Sequence, residues 1–142
     1  MRSLTRFLER ASSFLTRHLF GFEKGVVLRL RSASSAVVPR VLTRWGAGIG
    51  AHAQVHSPLT VHNARKHFRN LSLGDDAYVG RDCFFDLRDR IEIAARSTLS
   101  MRVTVITHLD AGQARSAVGG LETRQAPVII EDDVYVGACV TS

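Results

Sequence analysis

The sequence predicts a mainly β chain that winds in flat-sided coils and carries a helical appendage at its N-terminus. Large aliphatic or aromatic residues return every six positions and group in threes: Ile49, Val55, Val61; Leu73, Val79, Phe85; Ile93, Leu99, Val105; Ile130, Val136. Small or slim residues form a second register four positions after most of these anchors: Ala53, Ala77, Cys83, Ser97, Val103, Val134, Val140. A six-residue unit buries its apolar face only by stacking on its neighbours. Three units per turn therefore predict a triangular prism with the anchors inside and tight corners at the small residues.

Charge divides the 142-residue chain into two parts, a basic appendage at residues 1–48 and the repeat region at 49–142. The appendage holds nine Arg or Lys residues against two acids, within a net charge of +6. This excess favours anionic partners. Nucleic acid is not expected among them, because the cations fall on a predicted helix without interleaved aromatic residues or a known reader motif.

Residues 3–20 predict an amphipathic helix, since apolar residues recur there at steps of three and four: Leu4, Phe7, Leu8, Ala11, Phe14, Leu15, Leu19. Two interpretations remain open: this face packs on the prism or on a second helix, or it lies on an anionic membrane surface. No apolar run is long enough for a membrane span, and no signal peptide is recognisable. We expect a cytoplasmic protein, with peripheral contact at the inner face of the membrane as the second interpretation.

The remainder of the appendage predicts less regular structure. Residues 26–31 are typical of either a strand or the start of a helix, and residues 32–35 indicate a break. Residues 37–45 predict a short second helix that opens near Pro39.

The six-residue period is interrupted once by a long insertion. Val105 and Ile130 are 25 positions apart where six are expected, so the sequence predicts an extruded loop over about 109–128. Loops of this length in compact domains are usually functional or disordered. His108 stands where the coil ends and the loop begins.

Histidines and cysteines elsewhere do not predict a metal centre. His56 and His62 each follow an anchor and are expected to stack outward on one face, while His52 sits at a turn. Their spacing matches no known zinc ligand set, so no metal is expected. The two cysteines, Cys83 and Cys139, make no disulfide framework, which suits a reducing compartment.

Three segments, residues 73–80, 103–108 and 126–138, resemble the hexapeptide-repeat acyltransferases, in particular the maltose, galactoside and colanic-acid acetyltransferases. These segments read LGDDAYVG, VTVITH and APVIIEDDVYVGA. The resemblance implies a left-handed parallel β-helix that assembles as a homotrimer. It also implies transfer of acetyl from acetyl-CoA, held between neighbouring prisms, to a hydroxyl of a sugar, polysaccharide or glycolipid precursor.

The resemblance implies a role for individual residues. His108 matches the general base that removes the proton of the acceptor hydroxyl. Asp86 and Asp110 are expected to orient the imidazole or to bind the acceptor. Tyr135, Gly137 and Ala138 are expected along the acetyl-CoA groove, although Tyr135 alternatively only covers the prism edge.

Members of that family continue past the point corresponding to Ser142, so the resemblance also predicts that the chain is C-terminally short. A prism end without further coils exposes strand edges and anchors. The first alternative to the enzyme is therefore a truncated, non-catalytic homologue that acts as a scaffold or oligomerisation module. A metal-dependent hydratase of the carbonic-anhydrase type is the second.

Overall fold

The computed structural model of the chain describes residues 21–22, 24–110 and 123–142. The helix predicted over residues 3–20 lies outside the described residues, as does most of the predicted loop.

The described chain is mainly β, with parallel sheets and two short helices. Its strands are β1 (Gly48–Ile49), β2 (Gln54–Val55), β3 (Leu59–His62), β4 (Leu71–Leu73), β5 (Tyr78–Val79), β6 (Cys83–Asp86), β7 (Ile91–Ile93), β8 (Thr98–Leu99), β9 (Thr104–Val105), β10 (His108–Leu109), β11 (Arg124–Gln125), β12 (Val128–Ile130) and β13 (Tyr135–Val136). Helix α1 covers residues 24–32, and helix α2 is Val38–Arg44.

The chain visits three parallel sheets in turn. The first sheet has the order β1-β4-β7-β12, the second β13-β8-β5-β2 and the third β3-β6-β9. We call each pass through the three sheets a coil: coil one spans β1–β3, coil two β4–β6, coil three β7–β9, and coil four begins with β12 and β13. This succession is compatible with the triangular prism predicted from the six-residue period.

Register within the sheets stacks the predicted anchors on one another. Leu73 pairs with Ile49 on one side and with Ile93 on the other, and Ile93 pairs in turn with Ile130. Phe85 lies between Val61 and Val105 in the same way. Most anchors of the first three coils are buried, so the prediction of an interior built from these residues is confirmed.

The corners between sheets explain the second register of small residues. A residue with positive φ stands directly before each of them: His52, Asp76, Asp82, Arg96, Arg102, Asp133, Cys139. A left-handed backbone conformation turns the chain sharply. The next side chain then points inward, and Ala77, Cys83 and Ser97 are fully buried there. Cys83 is thus a packed side chain, and its burial raises the pKa of the thiol.

The two helices pack on coil one. Residues 26–31, which the sequence left open between strand and helix, are helical. Helix α2 agrees with the predicted second helix and has Pro39 in its first turn, where the missing N–H costs nothing. The helical residues Leu30 and Leu42 are fully buried in the same core as coil one, and α2 packs on β1 and β2.

Coil four differs from the other coils in its exposure. Val134 and Val140 occupy positions of the small-residue register, yet they are 37% and 40% exposed, and Tyr135 is 71% exposed. In coil three, the corresponding Ser97 and Val103 are 0% and 2% exposed. The core of the described residues is therefore concentrated in coils one to three and the two helices.

Two equivalent glycines test the stacking of coils in the second sheet. A Cβ added to Gly80 would lie 2.7 Å from the backbone of Ser100, whereas one added to Gly137 meets nothing within 4 Å. We expect Gly80→Ala to lower the free energy of unfolding by about 1–3 kcal/mol through overpacking. Gly137→Ala should be neutral or slightly stabilising, because it only restricts the unfolded chain. Urea unfolding of both variants measures the difference, and equal losses would contradict it.

Two surface predictions have different outcomes. His56 and His62 are outward-facing, beside Tyr78 and Phe84 at ring-centroid distances of 5.0 Å and 6.2 Å. The prediction that they share one face is wrong, because the corner at Ser57–Pro58 puts His56 on the second sheet and His62 on the third.

Neither described helix has the length and apolar character that crossing a bilayer requires.

Candidate functional site

A cluster of polar side chains lies at the corner where the chain leaves the third sheet. Asn63 follows β3, Asp86 ends β6, and Thr107 and His108 follow β9. Because the three strands are parallel and in register, their carboxyl ends meet at the same edge. Three successive coils therefore each contribute to one site.

Asp86 is the centre of this cluster. Its Oδ2 atom lies 2.6 Å from His108 Nδ1 and accepts hydrogen bonds from the Thr107 backbone N–H at 3.1 Å and hydroxyl at 2.9 Å. Its Oδ1 atom accepts a hydrogen bond from Asn63 Nδ2 at 2.7 Å. Asp86 is 1% exposed, and no buried polar side-chain atom among the described residues lacks a partner. The carboxyl group is thus both removed from solvent and fully hydrogen-bonded.

These contacts determine the charge of Asp86. Burial by itself raises a carboxyl pKa, because it disfavours the charged form. The hydrogen bonds from His108, Asn63 and Thr107 outweigh that effect, and the pKa of Asp86 lies below its ordinary value. Asp86 is therefore a carboxylate at neutral pH.

An ionised Asp86 defines the tautomer of His108. A carboxylate only accepts hydrogen bonds, so Nδ1 must carry a proton and donate it to Asp86. The neutral ring then has its lone pair on Nε2. That atom has no hydrogen-bond partner among the residues described, and the side chain is 23% exposed. His108 consequently presents an oriented proton acceptor to solvent.

Thr107 links the site to the rest of the corner. Its hydroxyl donates toward both the backbone oxygen and Oδ2 of Asp86, at 2.8 Å and 2.9 Å, and accepts from the Asp89 N–H at 2.9 Å. Thr107 is 3% exposed. These contacts hold the backbone immediately before His108 in one position.

Sequence reasoning missed Asn63 and Thr107. The only signal for Thr107 was its place beside His108 in the Thr-His segment. Asn63 is recognisable only from the strand pairing of His62 with Asp86 and from the positive φ of Asn63, 56°. Neither can be inferred from a single sequence.

Asp86 and Asp110 were both expected to orient the imidazole or to bind the acceptor, and the structure places them differently. The carboxylate that contacts the ring is that of Asp86. Asp110 is exposed and accepts a long hydrogen bond of 3.4 Å from Thr123 Oγ1, across the base of the predicted loop.

Tyr135, Gly137 and Ala138 do not lie beside His108 within one chain. Tyr135 belongs to the second sheet, where it pairs with Thr98, and the other two follow it into the next corner. His108 lies beyond the third sheet.

A shallow groove of about 440 Å³ runs between α1 and β3. Val27, Leu28 and Val61 supply its apolar lining, with Lys24 and Arg31 among the polar residues. His108 is not part of it. Among the described residues, no group of three or more His, Cys, Asp or Glu side chains is arranged to hold a metal ion.

Comparison with known proteins identifies no relative of this chain. No protein-family model, no curated protein and no solved structure matches it. Functional conclusions therefore depend on the geometry at His108 and on the sequence resemblance described above.

Proposed function

We propose that the protein is an O-acetyltransferase, which moves acetyl from acetyl-CoA to a hydroxyl of a sugar, polysaccharide or glycolipid precursor. The observation that carries the proposal is the 2.6 Å contact between Asp86 Oδ2 and His108 Nδ1, which leaves Nε2 available as a base. The resemblance to hexapeptide-repeat acyltransferases supplies the reaction class. We extend the same resemblance to the hand of the coil and propose that the prism is a left-handed β-helix.

The proposed reaction proceeds by direct transfer. The acceptor hydroxyl approaches Nε2 of His108 and attacks the thioester carbonyl carbon as Nε2 takes its proton. The tetrahedral intermediate collapses with cleavage of the carbon–sulfur bond, and the sulfur of CoA leaves with the proton from the imidazolium. An O-acetyl ester and free CoA thiol result, and His108 returns to its neutral form. Asp86 stabilises the imidazolium while it exists.

The proposed assembly is a homotrimer. Tyr135, Gly137 and Ala138 of one copy would line the acetyl-CoA groove beside His108 of its neighbour, because these residues lie on different sides of a single chain. A mass in solution of three times the 15.6 kDa of the monomer supports this arrangement. A monomer would contradict it. We retain the cytoplasm, with peripheral membrane contact through residues 3–20, as the proposed location.

Release of free thiol from acetyl-CoA tests the function directly. We expect the purified chain to release CoA thiol only when an acceptor is present, in an assay with a panel of sugars and glycosides. Mass spectrometry of the acceptor should show one added acetyl group. Absence of transfer to every acceptor would contradict the enzyme and favour the second candidate, a non-catalytic scaffold. The exposed apolar residues Val134 and Val140 in coil four are the observation that favours that candidate.

A further inference from the structure

A short antiparallel ladder at the base of the predicted loop brings one further residue to His108. Strand β10 pairs with β11, so that His108 lies opposite Gln125 and Leu109 lies opposite Arg124. This is the only antiparallel pairing among the described strands. The sequence predicted the loop but not the ladder that closes it.

The geometry of this ladder puts the side chain of Gln125 next to the imidazole. The Ala126 N–H donates to the Thr107 oxygen at 3.0 Å, so the hydrogen bonds flank the His108–Gln125 pair. In such a non-hydrogen-bonded pair, the Cα atoms are only about 4.5 Å apart and the side chains project to the same face. Arg124, the preceding residue, projects to the opposite face.

Gln125 has unused hydrogen-bonding capacity. It is exposed, and its side-chain amide makes no hydrogen bond with any other residue in the described part of the chain. An amide offers both a donor and an acceptor. The neighbouring His108 Nε2 is the atom assigned above to the reacting hydroxyl.

We propose that Gln125 binds a second hydroxyl of the acceptor, adjacent to the one that His108 deprotonates, and that the acceptor is therefore a vicinal diol. The hydroxyls of a vicinal diol are separated by about a hydrogen-bond length, so one reaches Nε2 while the other reaches the Gln125 amide. The amide nitrogen donates to that hydroxyl, or the amide oxygen accepts from it. This inference rests on the proposed acetyl transfer and specifies the substrate class of the same site.

A comparison of two acceptors with two variants tests the inference. The probes are a methyl hexopyranoside that the wild type acetylates and its deoxy analogue, which lacks the hydroxyl next to the acetylated one. We expect Gln125→Ala to raise KM for the glycoside by about 3- to 10-fold, as for one lost neutral hydrogen bond. KM for the deoxy analogue should be unchanged by the substitution, because that hydrogen bond is already absent.

Arg124→Ala is the matched control, since it removes a neighbouring exposed side chain from the other face of the ladder. Its KM values for both acceptors should equal those of the wild type. Equal effects of Gln125→Ala on the glycoside and the deoxy analogue would overturn the diol assignment and leave acetyl transfer standing. A wild type that transfers acetyl to no acceptor would overturn the proposed function and this inference together.

Discussion

Replacement of His108 by alanine is expected to lower kcat for acetyl transfer by about 10²- to 10⁴-fold, the usual contribution of a general base. The substitution removes Nε2, the oriented proton acceptor of the site. Some stability should be lost, because the buried Asp86 carboxylate loses one hydrogen bond, but we expect a native fold because the donors from Asn63 and Thr107 remain. Thiol release under saturating acetyl-CoA and acceptor measures the loss.

His62→Ala is the control for this result. His62 is an exposed histidine at the end of β3, two coils away from His108, and its ring neighbours Phe84. We expect its kcat to stay within about twofold of the wild type, as for a surface substitution outside the site. If His108→Ala retains wild-type kcat while circular dichroism shows a native fold, the assignment of the base is wrong.

Replacement of Asp86 by alanine is expected to impair both stability and catalysis. Asp86→Ala leaves Asn63 Nδ2 and the Thr107 N–H without their acceptor in a buried corner. Each buried donor left without an acceptor costs about 1–3 kcal/mol in the free energy of unfolding. Urea unfolding at neutral pH measures this loss. Asp110→Ala, at an exposed carboxylate of the same region, should change it by no more than about 0.5 kcal/mol.

The contribution of Asp86 to stability should depend on pH. Since its pKa in the folded protein is below its ordinary value, the contribution is complete above the unfolded-state pKa of about 3.9 and is lost as pH falls through the folded-state pKa. We expect Asp86→Asn, which keeps the shape but not the charge, to be less stable than the wild type at neutral pH. The difference should shrink below about pH 4. A difference that stays constant down to about pH 3 would show that ionisation of Asp86 does not stabilise the fold.

Asp86→Asn also distinguishes a role of Asp86 in positioning His108 from a purely structural role. In Asp86→Asn, the preference for the Nδ1–H tautomer of His108 is weakened, because an amide donates as well as accepts. We expect kcat to fall by about 10- to 10³-fold, with a smaller change in KM. A purely structural role would instead lower the amount of folded enzyme without altering the pH profile of kcat.

The buried core of the first three coils could be predicted from the sequence because six-residue periodicity is a local property. Each anchor, such as Leu73 or Leu99, marks its own position in a stack, and the structure buries both. The small residues at the corners could be predicted in the same way, because a tight turn leaves little room for the side chain that follows it. Helix α1 could not be decided, because partial alternation in residues 26–31 fits a strand as well as a helix until tertiary packing selects one.

The site was only partly predictable for a physical reason. His108 was marked by the interruption of the period, and Asp86 by its place after an anchor. Asn63 and Gln125 are brought close by strand pairing. Asn63 contacts Asp86, 23 positions further along the chain, and Gln125 pairs with His108, 17 positions before it. A single sequence carries no information on which strands pair in which register when an insertion separates them.

The contacts of Asp86 also have an evolutionary consequence. Solenoid repeats commonly gain or lose whole coils by duplication and deletion, because each coil touches only its neighbours. Here Asn63 follows coil one, Asp86 ends coil two and His108 follows coil three, and the Asp86 carboxylate contacts the other two side chains. A coil inserted between any two of them would move their side chains about 4.8 Å further apart, which is beyond hydrogen-bond reach. Coils one to three must therefore stay adjacent for this site to form.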